Sequence, residues 1–403
     1  MSPTGSGRDT PGMPTVAVVG GSLGGLTTAL VLRDIGCDVT VHERSSSTLE
    51  ARGVGIAVLP ETLRYPLERL RVEESTICSS TDWIRFVGGD GDVVHEQKHR
   101  YRFSSWNTIY STLRKGLDDS RYLLGHEMVS FDCDEQEVSI RFGDGTHDTV
   151  DLLVCADGIN SSSREGMAPE AAPRYAGYVA WRGTVPEAEL TSRSRSALAD
   201  ALTYQLLPQS HILVYPIPGP DGAVEVGQRL MNMVWYRNVD AGELPGLLTD
   251  RTGVVRTASL PPGAARDEVI SEMRDFASTH LAPAIAEVVA GVREPFLQTV
   301  MDIAVPRMVS GRACLVGDAA FAVRPHAAAG TAKAAEDGWV LAEELANAGG
   351  DVPVALARWQ DRQLRLGSAL LQRTREIGDT SQFSSGLRPG DPRLIFGLHG
   401  PGC

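Results

Sequence analysis

The sequence predicts an α/β fold: a mainly parallel nucleotide-binding sheet, an inserted antiparallel sheet, and long helices towards the C-terminus. Three observations predict it. Buried apolar strands that end in glycine- or acid-bearing turns occur around residues 16, 152 and 313; aromatic-rich, alternating strands fill 175–238; and helical patterns dominate 331–378. Strands alternating with helices wind a parallel sheet, whereas consecutive strands joined by short turns pair antiparallel.

The first element is the stretch 15–44. Val16 to Val19 suit a strand buried on both faces. The run stops at Gly20-Gly21-Ser22-Leu23-Gly24-Gly25, a helical pattern follows, and a second strand, Asp38–His42, ends at Glu43. Strand, glycine turn, helix, strand and acid form a Rossmann-like dinucleotide-binding unit. Gly20 allows the tight turn, Gly25 lets helix and strand pack closely, and the helix N-terminus offers free amides to a pyrophosphate. Glu43 is placed to accept hydrogen bonds from a ribose. Ser22 departs from the fingerprint, standing where a second glycine is usual, so its side chain must turn aside. The unit alone does not decide between NAD and FAD.

The whole chain sets bounds. It has 403 residues, enough for two domains, and a formal net charge of −13. Such a surface repels phosphate backbones, and no Lys/Arg cluster offsets it, so no nucleic-acid partner is expected. No apolar run is long enough to span a bilayer. Residues 1–13 are polar and rich in Gly and Pro, and read as a disordered N-terminus without a signal peptide. Six cysteines lack CxxC spacing and nearby histidines, and the nine histidines show no i, i+4 pairing. No metal site or disulfide framework is therefore expected, and a cytoplasmic location fits.

Further along, Ala51-Arg52-Gly53-Val54-Gly55 suggests backbone running close to a ligand. Residues 60–74 read as a helix kinked or split at Pro66, 83–103 as a hairpin turning at Gly88–Gly91, and Asn107–Leu117 as a helix. Strands follow at 121–130 and 137–142. A buried strand then reaches Asp157-Gly158-x-x-Ser161-x-x-Arg164, at the strand end where α/β sheets bind ligands. The plainer reading of that motif is a helix N-cap and a surface arginine. Strands at Tyr175–Val185, Leu202–Leu207, His211–Ile217 and Asn232–Arg237 form the antiparallel sheet, and 240–290 are mostly amphipathic helix. A third buried strand ends at Gly317-Asp318, followed by Pro325-His326-Ala327-Ala328-Ala329-Gly330 and helices over 331–347 and 353–378. An irregular tail closes the chain.

The three motifs, in this order and spacing, resemble the FAD-dependent aromatic hydroxylases of the para-hydroxybenzoate hydroxylase type, over residues 14 to 378. The resemblance implies non-covalent FAD, NADH or NADPH as reductant, and O2. It implies FAD contacts at Gly20, Ser22, Leu23, Gly25, Glu43, Arg44, Gly55, Asp157, Asp318, Pro325, Ala328, Ala329 and Gly330. Phe321, Ala328, Ala332 and Tyr110 depart from the usual histidine, glycine, asparagine and arginine. YAGYVAWRG (175–183), RPHAAAGTAKAAED (324–337) and the FGL-bearing tail look like the 2,6-dihydroxypyridine 3-hydroxylase branch, with pyridinol hydroxylases of polyketide pathways looking much the same. The implied domains are an FAD-binding domain of 14–80, 104–174 and 300–347, a substrate domain of 81–103 and 175–299, and a C-terminal helix and tail over 348–403. The family is often dimeric, so a homodimer or higher homo-oligomer is expected.

The implied reaction is hydroxylation of an electron-rich hydroxypyridine ring through a flavin C4a-hydroperoxide, in keeping with antibiotic biosynthesis. Phenol or polyketide oxygenation, or a non-oxygenating flavoprotein, are the alternatives; a halogenase is disfavoured because its WxWxIP motif is absent. A ring hydroxyl reacts better once deprotonated, so a base or strong acceptor is expected beside it. His211, Tyr215 and His326 are the candidates. His211 and Tyr215 share one strand face by period two. The plainer readings are an edge-strand surface histidine for His211, a core tyrosine for Tyr215 and an exposed loop histidine for His326. For His326 a helix N-terminus would lower the pKa. Trp181-Arg182 reads as a core aromatic and an ion-pair partner, or as a substrate wall and anion clamp. The alanines 327–329 form a small-residue wall with room for a ring substituent.

Overall fold

The computed structural model describes residues 12–49 and 55–403; most of the N-terminal segment expected to be disordered, and residues 51–54 of the Ala51–Gly55 motif, lie outside them. The chain opens with β1 (Thr15–Val19), α1 (Leu23–Asp34) and β2 (Asp38–Glu43), the unit read from the fingerprint. Next come β3 (Gly55–Ala57) and α2 (Pro60–Glu68), which holds Pro66 and stops short of the expected residue 74. Proline at that position removes a ladder donor, and the backbone turns left-handed at Arg71 (φ 56°). The hairpin of β4 (Ser79–Val87) and β5 (Val93–Ser105) leads to α3 (Trp106–Arg114) and β6 (Tyr122–Leu124). A small meander, β7 (Met128–Cys133), β8 (Val138–Phe142) and β9 (His147–Val150), precedes β10 (Leu152–Cys155) and α4 (Ser162–Met167).

The second half begins with β11 (Arg174–Pro186), α5 (Ser192–Leu198), β12 (Ala201–Leu207), β13 (Ser210–Ile217) and β14 (Leu230–Asn238). After α6 (Leu244–Leu247) and β15 (Ser259–Leu260), helices α7 (Asp267–His280) and α8 (Pro283–Gly291) lead to β16 (Phe296–Asp302). Then come β17 (Val309–Ser310), β18 (Ala313–Leu315), α9 (Gly330–Asn347) and the 31-residue α10 (Val352–Gln382).

Two large sheets result. The first has the order β17-β18-β10-β1-β2-β6, parallel except at β17. Its central strands, β1, β10 and β18, each run into one of the three motif turns, so the turns cluster at one sheet end. The second has nine strands, β15-β16-β11-β14-β13-β12-β4-β5-β3, and is antiparallel except where β4 meets β12. It draws in β3 from the first part of the chain as well as the β4–β5 hairpin.

Period-two alternation splits the second sheet into two buried faces. Val179, Trp181, Ile212, Val214, Met233 and Trp235 pack on α7 and α8. Tyr178, Ala180, Leu213, Tyr215, Val234 and Tyr236 form the other face, against Ala327, Ala329 and α10. Trp181 is therefore a core residue turned away from that second face, and Arg182 points the opposite way. Glycine permits close approach where α9 crosses α1: a Cβ on Gly338 would lie 2.6 Å from the Thr28 hydroxyl.

Candidate active site

A cavity of about 520 Å³ lies between the motif turns and the Tyr215 face of the large sheet. Ser22, Leu23 and Gly24 border it from the first turn, Gly158 from the second, Gly317 and Asp318 from the third, and Pro325, Ala328, Ala329 and Gly330 from the following loop. Ala180, Arg182, Leu213, Tyr215, Val234 and Tyr236 face them from the sheet.

The first turn is built by exclusion. Gly20 has φ +101°, and a Cβ there would stand 2.3 Å from the Ala156 carbonyl oxygen; one on Gly25 would stand 1.9 Å from the Gly20 oxygen. Ser22 caps α1 but its side chain accepts nothing from the first-turn amides, which stay open to a ligand. Glu43 is buried, and its carboxylate accepts from the amides of Gly21 (2.9 Å) and Ser45 (2.9 Å), stapling the turn to β2. Arg44 is exposed beyond it. Tyr110, where an arginine is usual, is buried, stacks on Trp106 and shares a 3.1 Å hydrogen bond with the Tyr122 hydroxyl. Tyr122 in turn donates to the Gly21 carbonyl at 2.9 Å.

The second turn is locked from within. Asp157 Oδ2 accepts from the amide and hydroxyl of Ser163, while its Oδ1 is buried with no partner among the described residues. Ser161 caps α4 by accepting from the Arg164 amide. Arg164 is not the surface arginine of the plainer reading. It is buried and donates to the carbonyls of Ile159 (2.8 Å) and Ala319 (3.3 Å), tying the second turn to the third.

At the third turn Asp318 opens into the cavity while protein encloses it. That enclosure raises its pKa; Lys333 opposes the rise, Asp337 adds to it and Arg164 opposes it. Behind it Lys333 and Asp337 form a buried ion pair at 2.7 Å, and Asp337 also accepts from the Gly317 amide at 2.8 Å. Ala328 takes the left-handed conformation (φ 52°, ψ 24°) that glycine, usual there, adopts without strain. Arg324 fixes this loop: it grips Asp302 with two 3.0 Å hydrogen bonds and Asp379 with one of 2.7 Å.

Of the three residues expected beside the ring, the structure brings only Tyr215 to the cavity wall. Its hydroxyl donates to the Gly55 carbonyl at 3.1 Å and its ring stacks on Phe103. Burial raises its pKa, and Arg182 opposes the rise. Arg182 donates to the same Gly55 oxygen at 2.8 Å and to Gln298 Oε1 at 3.0 Å, and has no carboxylate partner among the described residues. The ion-pair reading of Arg182 is thus replaced by a cation at the cavity wall. Gly55 has no room for a side chain, since a Cβ would sit 2.6 Å from Asn232 Cγ.

His211 and His326 lie behind that wall. His211 is on a central strand, not an edge, and shares a 2.6 Å hydrogen bond with the Ser381 hydroxyl. Burial lowers its pKa to about 3. His326 is buried in a one-turn helix ahead of α9, with its Nε2 2.7 Å from the Tyr178 hydroxyl. Its pKa falls well below the usual value through burial, then through His211 and Arg324, not through a helix N-terminus. Both rings pack on Tyr236, at 4.7 and 4.8 Å, so they buttress a residue that does line the cavity. Tyr236 escaped the sequence reading, although its period-two relation to Val234 was visible.

These residues fit a dinucleotide of the FAD kind. A Cβ would fill the turn at Gly20, the α1 amides are uncapped, one oxygen of Asp157 lacks a donor, and Asp318 faces the cavity. Among the described residues no cluster suits a metal ion, and no helix is long and apolar enough to cross a membrane.

Comparison with known proteins agrees. The family description "FAD binding domain-like" matches residues 175–302. The chain is 36% identical over 390 residues, 96% of each protein, to the 2,6-dihydroxypyridine 3-monooxygenase of Paenarthrobacter nicotinovorans. It is 26% identical over 351 residues, 83% of each, to the 6-hydroxynicotinate 3-monooxygenase of Pseudomonas fluorescens. The structure of 2,6-dihydroxypyridine-3-hydroxylase from Arthrobacter nicotinovorans superposes with a TM-score of 0.90 at 36% identity, covering 96% of this chain and 98% of that one.

Proposed function

Since the chain belongs to the FAD-dependent aromatic monooxygenases of the para-hydroxybenzoate hydroxylase type, which use NAD(P)H and O2, we propose that it hydroxylates a hydroxypyridine ring. The observation that carries this reading is the convergence of Tyr215 and Arg182 on Gly55 at the cavity wall. Two relatives named for hydroxylated pyridines support it.

When bound, FAD supplies the redox chemistry that reduces and activates O2. The protein's part falls to a few residues. Tyr215 has its only proton committed to Gly55, so towards the cavity it presents lone pairs. It therefore accepts a hydrogen bond from a ring hydroxyl and orients that ring. The Arg182 cation stabilises the negative charge that grows on the ring oxygen as its proton is lost to solvent, and the charge enriches the ring carbon that takes up oxygen. Leu213, Val234 and Val300 keep this part of the cavity dry, which strengthens both interactions. Buried and hard to protonate, His211 and His326 act in this reading by holding Tyr236 and Tyr178.

On the cofactor side, Ser22, Leu23, Gly24, Asp318, Pro325, Ala328, Ala329 and Gly330 hold FAD directly. Gly20, Gly25, Glu43 and Asp157 shape the turns beneath it. In this reading the FAD-binding domain comprises 14–80, 104–174 and 300–347, with 81–103 and 175–299 as substrate domain. A cytoplasmic homodimer or higher oligomer completes the proposal, which sedimentation and cell fractionation test.

The experiment is oxidation of NADH or NADPH by the purified flavoprotein with a panel of hydroxypyridines, alkylated pyridinols and phenols. Stimulation strongest with a hydroxypyridine is expected. Stimulation by phenols alone, or by no ring at all, overturns the substrate assignment.

A further inference from the structure

The tail after α10 is irregular, yet it is fastened to the cavity. Asp391 accepts from the Arg393 amide and starts a one-turn helix, after which Leu394, Phe396 and Leu398 all point into the buried face that holds Tyr215 and Val234. The Phe396 amide donates to the Tyr101 hydroxyl at 2.9 Å, and the two rings lie 4.8 Å apart. The Gly397 amide donates to the Ala327 carbonyl at 3.2 Å, and Arg373 donates to the Gly397 carbonyl. Residues 397–403 then fold back, and the Gly402 amide donates to the Phe396 carbonyl at 2.9 Å. A side chain on Gly397 would strike the Gly400 carbonyl, with a Cβ 2.0 Å from its oxygen. The fold-back therefore fixes one ring, and that ring borders the cavity.

We propose that Phe396 is a specificity-determining residue: its ring, presented by the tail, selects small flat hydroxypyridines over ring-alkylated ones. The inference rests on the hydroxypyridine reading above. Ala328 and Ala329 are small where they border the same cavity, and their loop is tied to the tail through Ala327 and Gly397. Phe396 is the bulky side chain that the tail adds to the cavity wall beside this small-residue loop, and there it limits substituents. The flat ring also offers an aromatic substrate a stacking or edge contact. Removing it opens space and removes that contact together.

The test compares wild type, Phe396→Ala, Phe396→Leu and Leu394→Ala as FAD-loaded enzymes. Steady-state kinetics and equilibrium substrate dissociation constants are measured for an unsubstituted and an alkylated hydroxypyridine. Phe396→Ala is expected to weaken binding of the unsubstituted ring and improve the alkylated one, moving the ratio of their kcat/KM values by about tenfold or more. Phe396→Leu should move the ratio the same way by less. Leu394→Ala, whose side chain packs in the core, should lower stability and leave the ratio in place. A ratio and dissociation constants unchanged in both Phe396 variants overturn the proposal. So does an equal change in Leu394→Ala, which would assign the effect to tail packing. Wild-type enzyme that binds and turns over no hydroxypyridine overturns the functional reading itself, and this inference with it.

Discussion

The Tyr215 hydroxyl and the Arg182 guanidinium donate to one acceptor, the Gly55 carbonyl oxygen, at 3.1 and 2.8 Å. One sits on β13 and the other on β11, so the sheet and the short strand β3 jointly fix a neutral acceptor beside a cation. Tyr215→Phe removes the acceptor and keeps the ring, and is expected to lower kcat/KM by about 3- to 10-fold, the worth of one neutral hydrogen bond accepted from the bound ring's hydroxyl. Arg182→Met should cost more in kcat than in KM, because its charge matters most as the ring oxygen becomes negative. An Arg182→Met enzyme with unchanged kcat contradicts the electrostatic role.

Arg324 clamps the Pro325 loop to β16 and α10 through Asp302 and Asp379. Arg324→Met would leave the buried Asp302 with Arg375 as its one ion-pair partner among the described residues. A loss of about 2 kcal/mol of unfolding free energy is expected, since a buried carboxylate loses two charge-assisted hydrogen bonds. FAD affinity, followed by flavin fluorescence, should fall with it. Urea unfolding that matches wild type would remove the clamp from the account.

Ala328 pays the left-handed conformation that a glycine would take freely. Relief of that strain is worth about 1–2 kcal/mol and the added chain freedom costs roughly 0.5–1 kcal/mol, so Ala328→Gly should be up to about 1.5 kcal/mol more stable. Urea denaturation of the two forms measures the sign.

Acid should destabilise the fold through its buried histidines. His42 stacks on Phe142 with its pKa lowered to about 4, by burial and then His126, with Asp148 opposing. His211, near 3, behaves alike. The unfolded chain binds protons at these sites near pH 6.5 and the folded one does not, so stability is full above that pH and is lost as pH falls towards 4. His42 alone contributes about 3 kcal/mol across that window. His42→Phe should unfold with a shallower pH dependence between pH 6.5 and 4; an identical slope would falsify the assignment to His42.

Much of this was legible because it repeats. The buried strands at Val16, Leu152 and Ala313, each followed by a glycine or acid turn, predicted the parallel sheet and the place where its turns converge. Period two placed Tyr215 and Leu213 on one face. The same rule separates Trp181 from Arg182, but alternation does not tell which face meets the cavity. Depth was hidden too: His211 and His326 look like ordinary polar positions, and only the packing of α10 over them buries both. Arg164 and Phe396 both fall in stretches the sequence singles out, yet where their side chains go was hidden for a related reason. Their partners, the Ala319 carbonyl and the Tyr101 hydroxyl, are far away in sequence, and no local pattern announces such a contact.

The central claim is that one atom of O2 reaches a hydroxypyridine ring in this cavity. The most direct measurement is mass spectrometry of the product formed from a hydroxypyridine under isotopically labelled O2, with NADH or NADPH as reductant. The account predicts a product heavier by one labelled oxygen, formed in proportion to the reductant consumed. An unchanged ring, with the reductant's electrons recovered as hydrogen peroxide, or a product whose new oxygen comes from water, would contradict it.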